Sequence, residues 1–487
     1  MQTASATNSI NITWPFPFVE QTHSTSSMGV RKRDKRTQQA RTEPKPMKNN
    51  VQKSFDIKRI HSMTESLLSF SSGFQNYRGL LNNCIVLLVL SSFRLALDNL
   101  LKYGILFDPM PGIVIFLAHP QKWPSACLVL ASNINIQVMF LVEKLMSKGK
   151  LTYLGSIIHT ANLACLLIVP ATIVLLFQPP PWYSSIALIW YTILWLKYIS
   201  YISVNKWLRE GSMTNPPPLR SSVEDSPTEE KAKNGRTHTL NLVKYPENLT
   251  QKDLYYFLAA PTLCYELNFP RTKRIRIRFL LRRTAEFLFL IGVILAIIQQ
   301  WMIPTITNSL KPFREMDYPR VVERIMKLAV PNHMMWLIFF YCFFHSFLNI
   351  LAEILKFGDR TFYKDWWNAS TIQQFWKTWN IPVHRWAQRH FYFPLRRRGY
   401  NPLTSSVLVF LLSAFFHEFL VSIPLQMFRP WAFIGITAQI PLATLTGLLP
   451  KNTVYGNFVV WLSLIMGQPI AFMMYGHDYY VINSSPH

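Results

Sequence analysis

Between residues 404 and 450 the only ionisable side chains are His417, Glu418 and Arg429, set in an apolar run that reads Ser413-Ala-Phe-Phe-His-Glu-Phe-Leu420 at its centre. A group that can carry charge inside a membrane span is costly to keep and marks a site of function by default. Histidine titrates near neutrality, which suits a general base. A structural histidine bonded to a neighbouring helix is the competing reading, and this segment alone leaves the two even. Glu418 follows His417 by one position, which is ~100° round a helix. It either tunes the histidine by hydrogen bonding or pairs with another span. His159 and His345 also lie in apolar blocks but have no carboxylate beside them, and there the structural reading prevails.

Most other chemistries lack their residues. No two glycines lie four or two apart, which removes the Gly-x-Ser-x-Gly elbow and the glycine loops that cradle nucleotides. No Walker loop, no His-Glu-x-x-His and no His-x4-Asp pattern occurs. The five cysteines, Cys84, Cys127, Cys165, Cys264 and Cys342, are scattered without metal-ligand spacing and read as free buried thiols. No metal and no cofactor is expected.

The elements that must position His417 follow from composition. The 487 residues are 50% hydrophobic and only 15% charged, with a net charge of +25; ordinary soluble domains carry about a quarter charged residues. The basic runs sit between apolar blocks, which argues against a nucleic-acid-binding domain. An all-α polytopic membrane protein is predicted, with about nine helices enclosing an intramembrane reaction chamber. Spans are predicted near 82–103, 123–143, 153–177, 182–204, 284–306, 328–352, 404–424, 431–449 and 457–475. Residues 104–119 read as a re-entrant or interfacial loop, broken by Pro109, Pro111 and Gly112. The connection 307–327 should carry an interfacial helix with Val321, Val322, Ile325 and Met326 on one face.

Residues 1–75 read as a disordered basic cytosolic tail and 76–487 as the membrane domain, with a flexible cytosolic linker at 205–250 and a cytosolic loop at 353–403. Lys and Arg concentrate in the connections at 144–152, 205–283, 353–403 and 450–456. By the positive-inside bias these connections and the N-terminus are cytosolic, and the C-terminus is on the far side. His417 then lies 13 residues past position 404, ~20 Å below the cytosolic surface. A substrate reaches that depth from lipid, or by a long arm let down from the cytosol.

The loop at 353–403 holds Phe362-Tyr-Lys-Asp-Trp-Trp-Asn368 and, downstream, Phe375-Trp-Lys-Thr-Trp-Asn-Ile-Pro-Val-His-Arg-Trp386. Ser370 and Gln373 predict a capping box, with a helix starting near Thr371 that places Ile372, Phe375, Trp376 and Trp379 on one face, ended by Pro382. These aromatics read as an interfacial belt, and Asp365 and Asn368 beside Trp366 and Trp367 argue for more.

The segment 362–368 resembles the signature of the sterol and diacylglycerol branch of the membrane-bound O-acyltransferase family. The runs at 379–386, 413–418 and 427–433, Gly467-Gln-Pro-Ile470 and His477-Asp-Tyr-Tyr480 resemble its diacylglycerol members rather than its sterol members. The resemblance is dense from about 355 to 480. It implies a multi-pass enzyme of the endoplasmic reticulum membrane that moves a fatty acyl chain from acyl-CoA to diacylglycerol, works as a homodimer or homotetramer among membrane lipids, and binds no nucleic acid. It places the family histidine on His417 and the family asparagine on Asn380. It associates Phe362, Tyr363, Asp365, Trp366, Trp367 and Asn368 with acyl-CoA, and Trp376, Trp379 and His384 in the same segment are grouped with them.

In the mechanism expected, His417 takes the hydroxyl proton and the oxygen attacks the thioester without a covalent enzyme intermediate. Asn380 or Gln468 supplies the oxyanion donor, with Gln468 preferred. The alternatives are a sterol O-acyltransferase and, in a different class, a lipid or proton-coupled transporter using His417 as a relay. A transporter would show inverted repeats, and the two halves of this chain show no convincing one.

Overall fold

A computed structural model describes residues 65–67, 69, 76, 78–80, 82–84, 102–108, 110, 124–211, 242–449 and 454–484. Almost all of the expected tail at 1–75, most of the expected linker at 205–250 and the greater part of the first expected span lie outside the described residues.

Among the described residues eight helical stretches are long and apolar enough to cross a membrane. α1 (Pro124–Met146), α2 (Thr152–Phe177) and α3 (Pro181–Arg209) pack as a three-helix unit, and α4 (Gln251–Ala259) is a short helix after the linker. α5 (Ile277–Ile297) passes through a π-helical turn, Ile298–Met302, into α6 (Ile303–Arg314). α7 (Tyr318–Phe340) passes through a second π-helical turn, Tyr341–Phe347, into α8 (Leu348–Ile354). Three short helices follow: α9 (Ile372–Thr378), α10 (Ile381–Ala387) and α11 (Phe393–Arg397). The last part holds α12 (Pro402–Leu425), α13 (Trp431–Thr437), α14 (Gln439–Leu448) and α15 (Val454–Ser484). No strand occurs among the described residues; the lone β-bridge joins Arg271 to Phe357. The all-α, multi-pass expectation is met, and the eight stretches coincide with the last eight expected spans to within a few residues at most ends.

The exception is the expected connection at 307–327. Helix runs through most of it, from 277 to 313 and again from 318 to 354. α15 also continues to Ser484 instead of stopping near 475. The extended helices pack on its second half. Ile297, Met302, Leu328 and Met473 form a small core there, with Ile306, Phe313 and Ile325 against it. Gly476 lets α15 approach α6, since a Cβ there would come within 2.8 Å of Ile306. Val321, Val322, Ile325 and Met326 therefore belong to the first turns of α7, not to a separate interfacial helix.

The first π-helical turn has a use that hydropathy does not show. It turns Gln299 and Gln300 onto the backbone of the loop 104–108. Gln300 accepts from Leu106 N–H (2.8 Å) and donates to Gly104 C=O (2.7 Å), and Gln299 accepts from and donates to Asp108 (3.0 and 2.7 Å). Non-helical backbone near hydrocarbon needs such partners.

Candidate active site around His417

α12 starts cleanly because Asn401 caps it, its side chain accepting from Thr404 N–H at 2.6 Å, with Pro402 in the first turn. Beyond that the helix is apolar on every side, as suits a helix surrounded by lipid and other helices. His417 is the break in that surface. Its Nδ1 lies 2.7 Å from the Ser413 carbonyl oxygen one turn back. A carbonyl can only accept, so Nδ1 carries the proton and Nε2 keeps its lone pair. The ring is exposed although many protein atoms lie around it, a combination that suits a ring bordering an internal space.

Glu418 points elsewhere. Its carboxylate accepts from Tyr475 OH at 2.9 Å, from Phe433 N–H at 2.9 Å and from Ser422 OH. Phe433 lies in the first turn of α13, so Glu418 caps that helix from a neighbouring one while Tyr475 ties in α15. Of the two roles open to Glu418, its hydrogen bonds fit pairing with other spans, and it makes none to His417 among the described residues. Glu418→Ala is expected to remove several hydrogen bonds to a charged acceptor, each worth ~1.5–3 kcal/mol. Melting temperature and activity should fall together. Lost activity at unchanged thermal stability would restore a direct role.

Gln468 lies on α15 between Gly467 and Pro469. It is 14 residues past Val454 on its helix, and His417 is 15 residues past Pro402 on its own. It also shares a face of α15 with Tyr475, seven residues on, which reaches the neighbour of His417. A Cβ built on Gly467 would meet nothing within 4 Å, so the helix borders open space beside Gln468. The Gln468 Oε1 accepts from Asn332 Nδ2 at 3.2 Å, which leaves its own NH2 to donate.

Asn380 has a different employment from the one expected of a reacting group. It caps α10, its Oδ1 accepting from Val383 N–H at 3.2 Å, and makes no hydrogen bond to His417. Pro382 accordingly sits in the first turn of α10 and opens that helix; it does not end the previous one. The expected capping box is also shifted by one residue. Thr371 caps α9 by accepting from Gln374 N–H, and Gln374 reaches back to Ser370 N–H.

In the segment 362–368, Phe362, Tyr363, Trp366 and Trp367 are buried in the protein core. The Trp366 ring is packed by Trp336, Phe340, Trp367, Phe375 and Trp461. Tyr363 OH meets His345 Nδ1 at 2.7 Å. Asn368 donates to Asn76 C=O (2.7 Å) and accepts from Gly79 N–H (2.6 Å), while Asn457 of α15 donates to Trp367 C=O at 2.9 Å. Asp365, half-buried, accepts Asn368 N–H on its carbonyl to close the turn. These residues knot the N-terminal segment, the loop and α15 together.

Downstream residues are placed where a ligand could meet them. The Trp376 ring contacts Phe410 of α12 at 6.0 Å, seven residues before His417 on the same face. Its indole N–H is buried and has no hydrogen-bond partner among the described residues. Trp379 stacks on Phe375 at 5.9 Å. His384 is pushed down to about 4, by burial first and then by the charges of Lys377, Lys364 and Arg385. It is thus neutral near pH 7 and embedded in a positive cluster. Arg385 pairs with Asp359 at 2.6 Å; Lys364 and Lys377 are exposed and make no ion pair among the described residues.

Sequence reasoning missed Asn332 and Asn457. A polar side chain inside an apolar span was the available signal for Asn332.

The profile of the membrane-bound O-acyltransferase family matches residues 152–477. The chain is 54% identical over 428 residues to diacylglycerol O-acyltransferase 1 of Homo sapiens, covering 87% of this chain and 85% of that protein. It is 54% identical over 427 residues to diacylglycerol O-acyltransferase 1 of Bos taurus, covering 87% and 86%. The similarity to diacylglycerol O-acyltransferase 1 of Dictyostelium discoideum is 37% over 429 residues, covering 87% and 66%.

Proposed function

The chain belongs to the membrane-bound O-acyltransferase family, and on that footing we propose that this multi-pass membrane acyltransferase transfers a fatty acyl group from acyl-CoA to the free hydroxyl of diacylglycerol, giving triacylglycerol and CoA. One observation carries the chemistry: His417 keeps a bare Nε2 on an exposed ring with protein atoms around it, its other nitrogen committed to Ser413.

His417 Nε2 takes the hydroxyl proton of diacylglycerol as the oxygen forms its bond to the thioester carbonyl carbon. The carbonyl oxygen gathers charge, and the Gln468 NH2 donates to it. The carbon–sulfur bond then breaks, and the proton on His417 neutralises the leaving CoA thiolate. Every atom is accounted for without a covalent enzyme intermediate and with no cofactor beyond acyl-CoA as co-substrate. Glu418 holds α12, α13 and α15 in register around these groups.

Acyl-CoA enters from the side that carries Lys364, Lys377 and Arg385. Those cations suit the CoA phosphates, and a bound phosphate also relieves the charge repulsion on His384. Uncharged diacylglycerol arrives sideways through lipid. The reading places the enzyme in the endoplasmic reticulum membrane as a homodimer or homotetramer, with a basic cytosolic N-terminal tail over 1–75 and the C-terminus in the lumen.

The acceptor decides between this reading and a sterol acyltransferase. Purified protein offered radiolabelled acyl-CoA with diacylglycerol, cholesterol and a long-chain alcohol together should give labelled triacylglycerol as its chief product. Cholesterol ester in that position would overturn the assignment.

A further inference from the structure

We propose that Asn332 is a positioning residue for the transfer: it holds the Gln468 side chain so that the amide nitrogen, not the amide oxygen, faces the thioester. The inference rests on the reading of Gln468 as the oxyanion donor.

Asn332 lies in the apolar run Ala329-Val-Pro-Asn-His333 of α7 and is fully buried. A leucine would suit packing inside a span better, since a buried amide carries a desolvation cost. Its Nδ2 recovers part of that cost by donating to Gln468 Oε1 at 3.2 Å. Its Oδ1 recovers none, having no hydrogen-bond partner among the described residues. A half-satisfied buried amide is a poor stabiliser, so its presence needs another reason.

The reason lies in the symmetry of a primary amide. Its two ends are nearly equal in size and opposite in sense, one an acceptor and one a donor. The torsion that exchanges them is soft and close to two-fold. A glutamine left to itself could present its oxygen to the reacting carbonyl, where negative charge develops, and oppose the reaction. A donor fixed at Oε1 breaks the tie and sends the NH2 to the other side.

The fixing group must itself be placed, and the stretch of α7 that carries Asn332 is packed through its neighbour. His333 is fully buried, with its ring 5.5 Å from Trp336 and edge-on to Trp461 at 5.5 Å. Trp461 and Gln468 are seven residues apart, two turns of α15 on one face. Two adjacent residues of α7 therefore grip α15 at two successive levels. The lower contact is apolar packing; the upper one sets the direction of an amide. Misplacing a reacting group by ~1 Å can cost about 100-fold in rate.

The test is a double-mutant cycle on the full-length purified enzyme, reading kcat, the KM for acyl-CoA and the melting temperature for Asn332→Leu, Gln468→Ala and the pair. Asn332→Leu should lower kcat about 10- to 100-fold with little change in KM, and should cost nothing further once Gln468 is alanine. If Asn332 only packs, the two effects on kcat multiply, and the inference is wrong while the role of Gln468 stands. An unchanged kcat in Asn332→Leu also removes it. Full kcat in Gln468→Ala removes the oxyanion reading itself and this inference with it. Should the leucine variant not assemble, Asn332→Ala, which needs no added space, carries the same comparison.

Discussion

Replacing His417 with alanine should abolish triacylglycerol formation in protein that still folds. The expected loss follows from the ring's placement. Nδ1 is occupied by the Ser413 carbonyl at 2.7 Å, and the ring is exposed with protein atoms around it. No other described side chain on α12 can accept a proton there, because Glu418 is taken up by Tyr475, Phe433 and Ser422. A positioned general base contributes about 10²–10⁴-fold, so turnover should drop by at least about 100-fold. The fold should hold, since the alanine removes only one hydrogen bond to a carbonyl that the helix already satisfies, worth ~1 kcal/mol. The measurement is product formation per folded protein, with oligomeric state and melting temperature checked alongside. Substantial turnover in a well-folded variant would remove His417 from the chemistry.

Gln468→Ala should have the next largest effect, and its signature should differ. The donor acts on charge that exists only in the transition state, so kcat should fall while the KM for acyl-CoA stays nearly constant. Removing one donor of this kind typically costs ~3–4 kcal/mol, or about 10²–10³ in rate. Two structural features support the size of the effect. Gln468 is half-buried. Its acceptor end is tied to Asn332, so the donor is preorganised. A raised KM with unchanged kcat would make Gln468 a binding residue, and no change at all would return the oxyanion role to Asn380. The Nδ2 of Asn380 is not used by its cap.

The membrane architecture was largely legible in the chain because hydropathy is a local property. Twenty apolar residues must cross hydrocarbon whatever the rest of the protein does, and eight of the expected spans are present as helices. Helix ends were less legible. Residues 307–327 are mostly helix and pack on the second half of α15, a contact between segments more than a hundred residues apart. Tryptophans were legible as residues but not as roles. Trp366 and Trp379 look alike in sequence, yet one is sealed inside five other rings and the other is only half-buried.

By itself the sequence determined that the chain is helical and membrane-embedded, that one imidazole is set deep in an apolar span, and that its motifs are those of an acyl-transferring family. The tertiary structure alone decided which nitrogen of that imidazole meets the Ser413 carbonyl, that Glu418 bonds to Tyr475, Phe433 and Ser422, and that Phe362, Tyr363, Trp366 and Trp367 are buried. It also decided that Gln468 is bonded to a residue 136 positions away, as Glu418 is bonded to one 57 positions away. The physical reason is range. Hydropathy and periodicity report neighbours along the chain, whereas the sense of a hydrogen bond is set by whichever group packing brings opposite it.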